Sequence, residues 1–461
     1  MKKQLVPLFI LTSVMCIACN AQGQIVGPDN SSDRSEKKSE YSQTFNPSTD
    51  TAKLLKKIPD LEENPSVDLT DSGFVKFLSN FNAFSSSFSD EYVTKYFDPT
   101  RNDTISPLSI YFAMAQAGSG TAGSTQDEIF NALNISYSDA IKYSPTLYKA
   151  TNRTTRNFES DEITSIEDIN NSLWFERTFK LKESGLKTLV DSFYCEPYAA
   201  NFKEQPKKVS QVMSDYISDK TRGLIKPQLD FDDYVRLVIV NTLYMKDQWN
   251  ESGYDLQYEQ NEREFINYDN SKTKKQFLLG QHNSGNIYSS NDFTSFYAST
   301  FNGFKIRFML PKEDKKINEI FNKNNILEMH NADYSDPNGK RVYTRCIFPE
   351  FVASATEDLD LVGMFKDRGV NHFFSGDADF SNIAEDGQEK LICSAIKHLT
   401  KLIVDKKGME GAAVTIVVEK ATSVNPGDEP IYQDFIVDKA FGFEISDHNN
   451  IPLFTGIVSK I

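Results

Sequence analysis

Gly408-Met409-Glu410-Gly411-Ala412-Ala413-Val414-Thr415-Ile416-Val417-Val418 is the stretch on which the reading of this chain turns. Small residues come first and β-branched ones follow, so the segment favours a strand while offering little bulk at its leading end. Behind it, residues 419–434 are polar and contain Pro426 and Gly427, the composition of an exposed loop. A strand-forming run attached to a long loop has two readings. One is an ordinary hairpin strand with a pendent loop, the other a loop able to become a strand, and the surrounding sequence has to separate them.

Working outward, residues 234–245 (YVRLVIVNTLYM) are nearly continuous apolar and β-branched sequence, as a strand covered on both faces requires. That places a sheet at the centre of the molecule. Immediately before it, Val209, Val212, Met213, Tyr216 and Ile217 recur at helical spacing, with Pro206 suited to the first turn and Gly223 to the end of a helix over residues 206–222. From Asp71 onward helix-period and strand-period segments alternate irregularly without an internal repeat. The chain has 461 residues with 50 basic and 65 acidic side chains, a net charge of −15, which argues against a nucleic-acid partner. Hydrophobic residues at 39% and aromatics at 12% supply a large core.

Sequence signals for catalysis or cofactors fail one by one. Gly118-Ser119-Gly120-Thr121-Ala122-Gly123 matches the GxGxxG string, yet it follows a helical run, where a dinucleotide fingerprint needs a strand. Five histidines at 282, 330, 372, 398 and 448 show no metal-ligand spacing. Neither a GxSxG elbow nor a P-loop is present, so the reading is of a protein that is no enzyme and needs no cofactor or metal. Cys195, Cys346 and Cys393 lie too far apart for a zinc knuckle and imply no disulfide framework.

At the N-terminus, Lys2 and Lys3 precede an apolar run over residues 5–17, long enough for an export signal and too short for a spanning helix. Ala18-Cys19 at its end resembles the lipobox of bacterial lipoproteins, in which the cysteine is acylated. The alternative is two ordinary cysteines, Cys16 and Cys19, inside a signal cut elsewhere. Residues 20–70 are rich in Ser, Asp, Lys, Asn, Glu and Pro and read as a flexible tether. The expected organisation is a lipoprotein signal over 1–19, a tether over 20–70 and a folded domain over 71–461, exported and held to a bacterial membrane or cell surface through Cys19.

Five blocks, in order, resemble the serpin family over essentially all of residues 71–461. Ile105-Ser106-Pro107-Leu108-Ser109-Ile110 looks like the start of the serpin helix B. Asn241-Thr242-Leu243-Tyr244-Met245-Lys246-Asp247-Gln248-Trp249 is similar to the segment at the top of the family's central sheet. Leu361-Val362-Gly363-Met364-Phe365 and Ala378-Asp379-Phe380-Ser381-Asn382-Ile383 resemble two further blocks. His398 stands ten residues before Gly408, the family's spacing of shutter histidine and hinge glycine, and Phe441-Gly442-Phe443 with Leu453-Phe454-Thr455-Gly456 resembles its last strands.

The resemblance implies an α+β serpin fold with three β-sheets, about nine helices and an exposed reactive-centre loop that is cut and inserts into the large sheet, trapping the acylated protease. It also implies roles. Gly408 to Thr415 (Gly408, Met409, Glu410, Gly411, Ala412, Ala413, Val414, Thr415) would be the hinge, Ser106, Ser109, Asn241 and His398 the shutter, and Trp249 part of the breach. Counting Gly408 as fifteenth before the scissile bond gives Thr422-Ser423, with Lys420-Ala421 as the trypsin-like alternative. The partner is then an elastase-like, subtilisin-like or trypsin-like endopeptidase, a serine or also a cysteine protease, and the protein a monomer. Met409 departs from the small Thr or Ser usual after the hinge glycine, Val414 from the usual Ala, and Lys406 from a common Glu; the loop is also longer. The rival is a non-inhibitory surface binding protein on the same fold.

Overall fold

Local sequence sets the helices individually. Asp71 accepts a hydrogen bond from the Phe74 N–H at 2.8 Å and starts the helix Ser72–Tyr96, along which Phe74, Phe77, Phe81, Phe84 and Phe88 form one buried face. Ser106 caps Pro107–Ser119, its Oγ accepting from the Ser109 N–H at 3.2 Å, with Pro107 in the first turn. The helix Pro206–Lys220 buries Val209, Met213, Tyr216 and Ile217, as the spacing predicts. It stops where Arg222 and Gly223 take φ of 51° and 77°, a left-handed turn that glycine makes without steric cost.

The structure, a computed structural model, describes residues 48–157, 161–249, 255–355, 359–410 and 430–461. Nine α-helices occur among the described residues. The large sheet is described through β1 (Ala52–Leu54), β2 (Ile163–Glu176), β3 (Cys195–Ala200), β4 (Leu237–Gln248), β5 (Phe351–Ser354), β6 (Cys393–Lys397), β7 (Lys401–Val404) and β8 (Gly408–Glu410), and a further short strand, Arg153–Arg156, pairs with the first residues of β2. Their spatial order is β1-β3-β2-β4-β8-β7-β5, and β6 pairs with β4. A second sheet holds Asp103–Ile105, Pro452–Val458, Phe441–Ser446, Lys305–Pro311 and Phe293–Ser299, and meets the first at one pair, Ser354 beside Asp103. The third runs Ile431–Ile436, Val342–Phe348, Leu278–Ser284 and Gln257–Tyr258.

β4 is the expected central strand, shifted by three residues, and its two faces serve different cores. Leu237, Ile239, Leu243 and Met245 enter the main core. Val238 and Val240 face the other way, into a smaller cluster with Val209, Met213 and Tyr216 of the helix Pro206–Lys220. The alternation follows from the two-residue period of a strand, and it explains why the run contains almost no polar residue.

Part of the span expected as a tether, residues 20–70, is folded. Ala52–Leu54 forms β1, pairing with Tyr198 to Ala200 at the sheet edge, and Leu61, Val67 and Leu69 pack against the main core. An edge strand is held largely by backbone hydrogen bonds, so sparse apolar residues among polar ones suffice, and composition alone conceals it. The glycine string at 118–123 lies where Pro107–Ser119 turns into the helix Gly123–Ala132, with Gly123 at φ 53°. Cys195, Cys346 and Cys393 are buried free thiols.

Candidate functional site

At the top of the large sheet the hinge strand β8 lies between β4 and β7. Gly408 pairs with Gln248 and Met409 with Asp247 on one side; on the other, Met409 pairs with Val404 and Glu410 with Ile403. A Cβ on Gly408 would stand 2.1 Å from the Asp247 carbonyl oxygen, so glycine is required here by close backbone approach. Met409 is fully buried. Glu410 accepts a hydrogen bond from the Tyr244 hydroxyl.

A turn over Asp405 to Gly408 launches this strand. The Asp405 carboxylate accepts from the N–H groups of Lys407 at 2.8 Å and Gly408 at 3.2 Å, while its carbonyl accepts from Trp249 Nε1 at 2.6 Å. Trp249 is buried and meets Phe348 edge-on at 5.4 Å. Lys406, the departure from a common Glu, pairs with Asp255 at 2.8 Å; the charge at this point is matched by an acid. Asp247 is anchored by Thr300 and Asn302, and burial pushes its carboxyl up to about 7 against those hydrogen bonds.

Lower down the same two edges touch directly. β6 runs parallel to β4, with Ala395 beside Val238, Ile396 beside Ile239 and Lys397 beside Val240. The gap is therefore a wedge, one strand wide at the top and closed at the bottom. Continued downward, the line of β8 leads to Val238 and Ala395, which are paired with each other here. From Val238 to Val240 the lower half keeps the register of the upper one, so opening it there requires lateral separation of about 4.8 Å per added strand and no slip, and the register shifts only at the last pair, between Cys393 and Ala395.

The residues expected as a shutter form two groups, Ser106 and Ser109 with His398, and Asn241 with Asn171. The Ser106 N–H donates to His398 Nε2 at 3.3 Å, which fixes that nitrogen as the unprotonated acceptor. Burial lowers His398 to about 4, so the ring is neutral at ordinary pH. Ser109 joins through its N–H to Ser106 Oγ. Asn241 donates across the sheet to Asn171 Oδ1, and Asn171 donates to the Phe193 carbonyl at 2.8 Å. Asn241 Oδ1 is buried and has no hydrogen-bond partner among the described residues.

Of the residues expected at the hinge, Gly408, Met409 and Glu410 form β8, and Trp249, expected at the breach, bonds the Asp405 carbonyl just before it; of those expected at the shutter, Asn241 lies on β4 and His398 follows β6, bonded to Ser106, which caps the helix carrying Ser109. Gly411 to Thr415, both pairs proposed for the scissile bond (Thr422-Ser423 and Lys420-Ala421) and Cys19 lie outside the described residues. Asn171, Asp405 and Tyr244 were not singled out from sequence as parts of the site. Asn171 carries a signal, a polar residue on the face of β2 that otherwise enters the core; Asp405 carries another, the Asp-Lys-Lys-Gly turn.

The family profile described as Serpin (serine protease inhibitor) matches residues 79–461. The chain belongs to the serpin family. It is similar to Iripin-1 of Ixodes ricinus, 25% identical over 79% of this chain and 90% of that protein. It is also similar to Alpha-1-antiproteinase F of Cavia porcellus, 26% identical over 78% of this chain and 85% of the relative. The solved native state of the thermophilic serpin Tengpin superposes with a TM-score of 0.68 at 23% identity, covering 89% of this chain and all of the other (100%). Thyroxine-binding globulin in complex with thyroxine superposes with a TM-score of 0.65 at 20% identity, over 84% of this chain and 99% of the globulin. These structural likenesses concern the fold, which is the serpin fold. Serpins as a family are mostly protease inhibitors rather than enzymes, and some are not inhibitory.

Proposed function

We propose that this serpin inhibits serine endopeptidases by suicide-substrate trapping, in which the cut loop inserts between β4 and β6/β7 and carries the acylated protease with it. The observation that carries the reading is the hinge strand β8, already threaded into a seam whose register continues below it. Extended along that register, Gly411, Ala413 and Val417 would fall beside Met245, Leu243 and Ile239 on the main-core face. Ile416 and Val418 would fall beside Val240 and Val238, under the helix Pro206–Lys220. Thr415 would fall between Asn241 and His398, where its hydroxyl could supply the donor that Asn241 Oδ1 lacks.

The energetics support the same reading. Met409 is already buried, so its bulk is no obstacle that the cut loop has to overcome. Val414, Ile416, Val417 and Val418 at ~1.5–3 kcal/mol each, halved for incomplete burial, give roughly 3–6 kcal/mol, and each new ladder hydrogen bond adds about 1 kcal/mol. That total rivals a domain's stability of ~5–15 kcal/mol. The intact chain would then be kinetically trapped, and cleavage would release the trap. We further propose that the protein is exported and lipid-anchored through Cys19.

Incubating the purified protein with elastase-like, subtilisin-like and trypsin-like enzymes is expected to give an SDS-stable complex with at least one. Cleavage in the loop is also expected to raise Tm by far more than a few degrees. Cleavage with no complex and an unchanged Tm would instead support the non-inhibitory binding protein.

A further inference from the structure

Three ligand-type side chains distant in sequence meet behind the top of the large sheet. Oxygens of Glu167 on β2 and of Asp447, with a ring nitrogen of His448, lie within 4.8 Å of one another. Asp447 and His448 belong to the turn between Phe441–Ser446 and Pro452–Val458. Glu167 is 2% exposed, and neither of its carboxylate oxygens has a hydrogen-bond partner among the described residues. Such a group is costly to bury, and a second carboxyl at its side adds to the cost. Arg153, opposite Glu167 on the neighbouring strand, eases it only through the longer-range field.

The turn itself holds Asp447 in place. Asp447 accepts from the N–H groups of Asn449 at 2.9 Å and Ile451 at 2.7 Å, contacts that orient a carboxylate as outer-shell partners of a metal do. Asn449 Nδ2 lies 3.0 Å from His448 Nε2, with Nδ1 at 3.9 Å from Asp447 Oδ2; Nδ1 becomes a ligand atom when the ring proton sits on Nε2 and the Asn449 amide turns its oxygen to accept it. The His448 side chain is 31% exposed and gives the buried carboxyls a route to solvent.

We propose that Glu167, Asp447 and His448 bind a divalent transition-metal cation, with zinc as the type. Two carboxylates and one imidazole suit such an ion, whereas calcium and magnesium prefer all-oxygen sets. Metal–ligand distances of about 2.0–2.2 Å need the three atoms somewhat closer than they stand, and the exposed His448 ring swings inward to close the set.

The ion ties two parts that loop insertion drives apart. β2 is paired along β4, whereas the turn carrying Asp447 and His448 belongs to the second sheet, joined through Asp103–Ile105 to β5 and β7. Parting β4 from β6 and β7 displaces Glu167 relative to the turn, so the bound ion restrains opening and slows trapping. This consequence rests on the proposed inhibitory function; the binding itself does not.

Titration calorimetry of the intact chain with zinc chloride tests the site, with calcium and magnesium chlorides as comparison. One zinc per chain is expected, bound at least about tenfold more weakly in Glu167→Gln and His448→Ala. Affinity is expected unchanged in His372→Gln, whose ring pairs with Glu128 elsewhere. If Glu167→Gln fails to fold, the exposed His448→Ala carries the test. Equal zinc affinity in wild type and in the folded ones of Glu167→Gln and His448→Ala, equal affinity for calcium, or no binding overturns the site. Zinc is also expected to slow complex formation in wild type and not in Glu167→Gln; binding with no effect on that rate overturns the restraint and leaves the site. A protein that traps no protease still reports on the site through calorimetry.

Discussion

Gly408 and His398 do opposite work with single atoms. The absence of a Cβ lets the hinge backbone close on Asp247, where an added methyl would sit 2.1 Å from a carbonyl oxygen. Gly408→Ala is therefore expected to push β8 out of the seam and to destabilise the intact protein by about 1–3 kcal/mol, the usual cost of overpacking, measurable by urea unfolding. His398 acts through a proton it refuses. Its pKa falls to about 4 by burial from the ordinary value near 6.5, so between those values the unfolded chain binds more protons than the folded one, and stability falls as pH falls. Across that window the loss is expected at roughly 2–4 kcal/mol. Above pH 7 this group contributes no slope. His398→Gln keeps an acceptor for the Ser106 N–H and should flatten the stability profile between about pH 6.5 and 4; an unchanged difference between variant and wild type across the window would exclude His398 as the titrating group.

The seam between β4 and β6/β7 turns sequence alternation into a rule about which substitutions matter. Residue 413 is expected on the core face beside Leu243, and residue 412 on the opposite face between Tyr244 and the exposed Lys401. Ala413→Glu should then raise the stoichiometry of inhibition by an order of magnitude or more, because a charge entering the core costs at least ~2 kcal/mol while the bond stays cleavable. Ala412→Glu should leave it near the wild-type value; equal effects of the two would refute the register. Much of this was legible beforehand. The apolar run at 234–245 revealed a doubly covered strand, and the spacing of His398 and Gly408 placed the hinge by resemblance. Edge strand β1 was concealed because backbone pairing needs little from side chains. Asn171 was missed because its role depends on standing opposite Asn241, and Glu167 with Asp447 and His448 because ligands so far apart leave no spacing to read.

For the whole molecule, where it is held and where it is cut complete the reading. Among the described residues no helix is long and apolar enough to cross a membrane, and the proposed anchor is Cys19, at the end of an apolar signal. Multiple acylation would hold the protein firmly where one chain would not, so Cys19→Ala should move it from the membrane to the soluble fraction; full retention would place the anchor elsewhere. The scissile bond follows from the length of the seam. Along the register of β8, residue 419 would reach Leu237, the first residue of β4, and residue 420 would reach Cys393, the first of β6. The ladder therefore runs out at 419–420. Cleavage at Thr422-Ser423 leaves two residues, about 7 Å of extended chain, between the last ladder position and the acylated protease, enough for complete insertion and too little to let the protease stand clear of the sheet end. Cleavage at Lys420-Ala421 would tie the protease to the last ladder residue itself and stop insertion short. Mass spectrometry of the C-terminal fragment released from the complex should thus find Ser423 at its new N-terminus. Ala421 there would favour the trypsin-like alternative, and an N-terminus beyond Pro426 would mean that the long loop moves the cut past the reach of this seam.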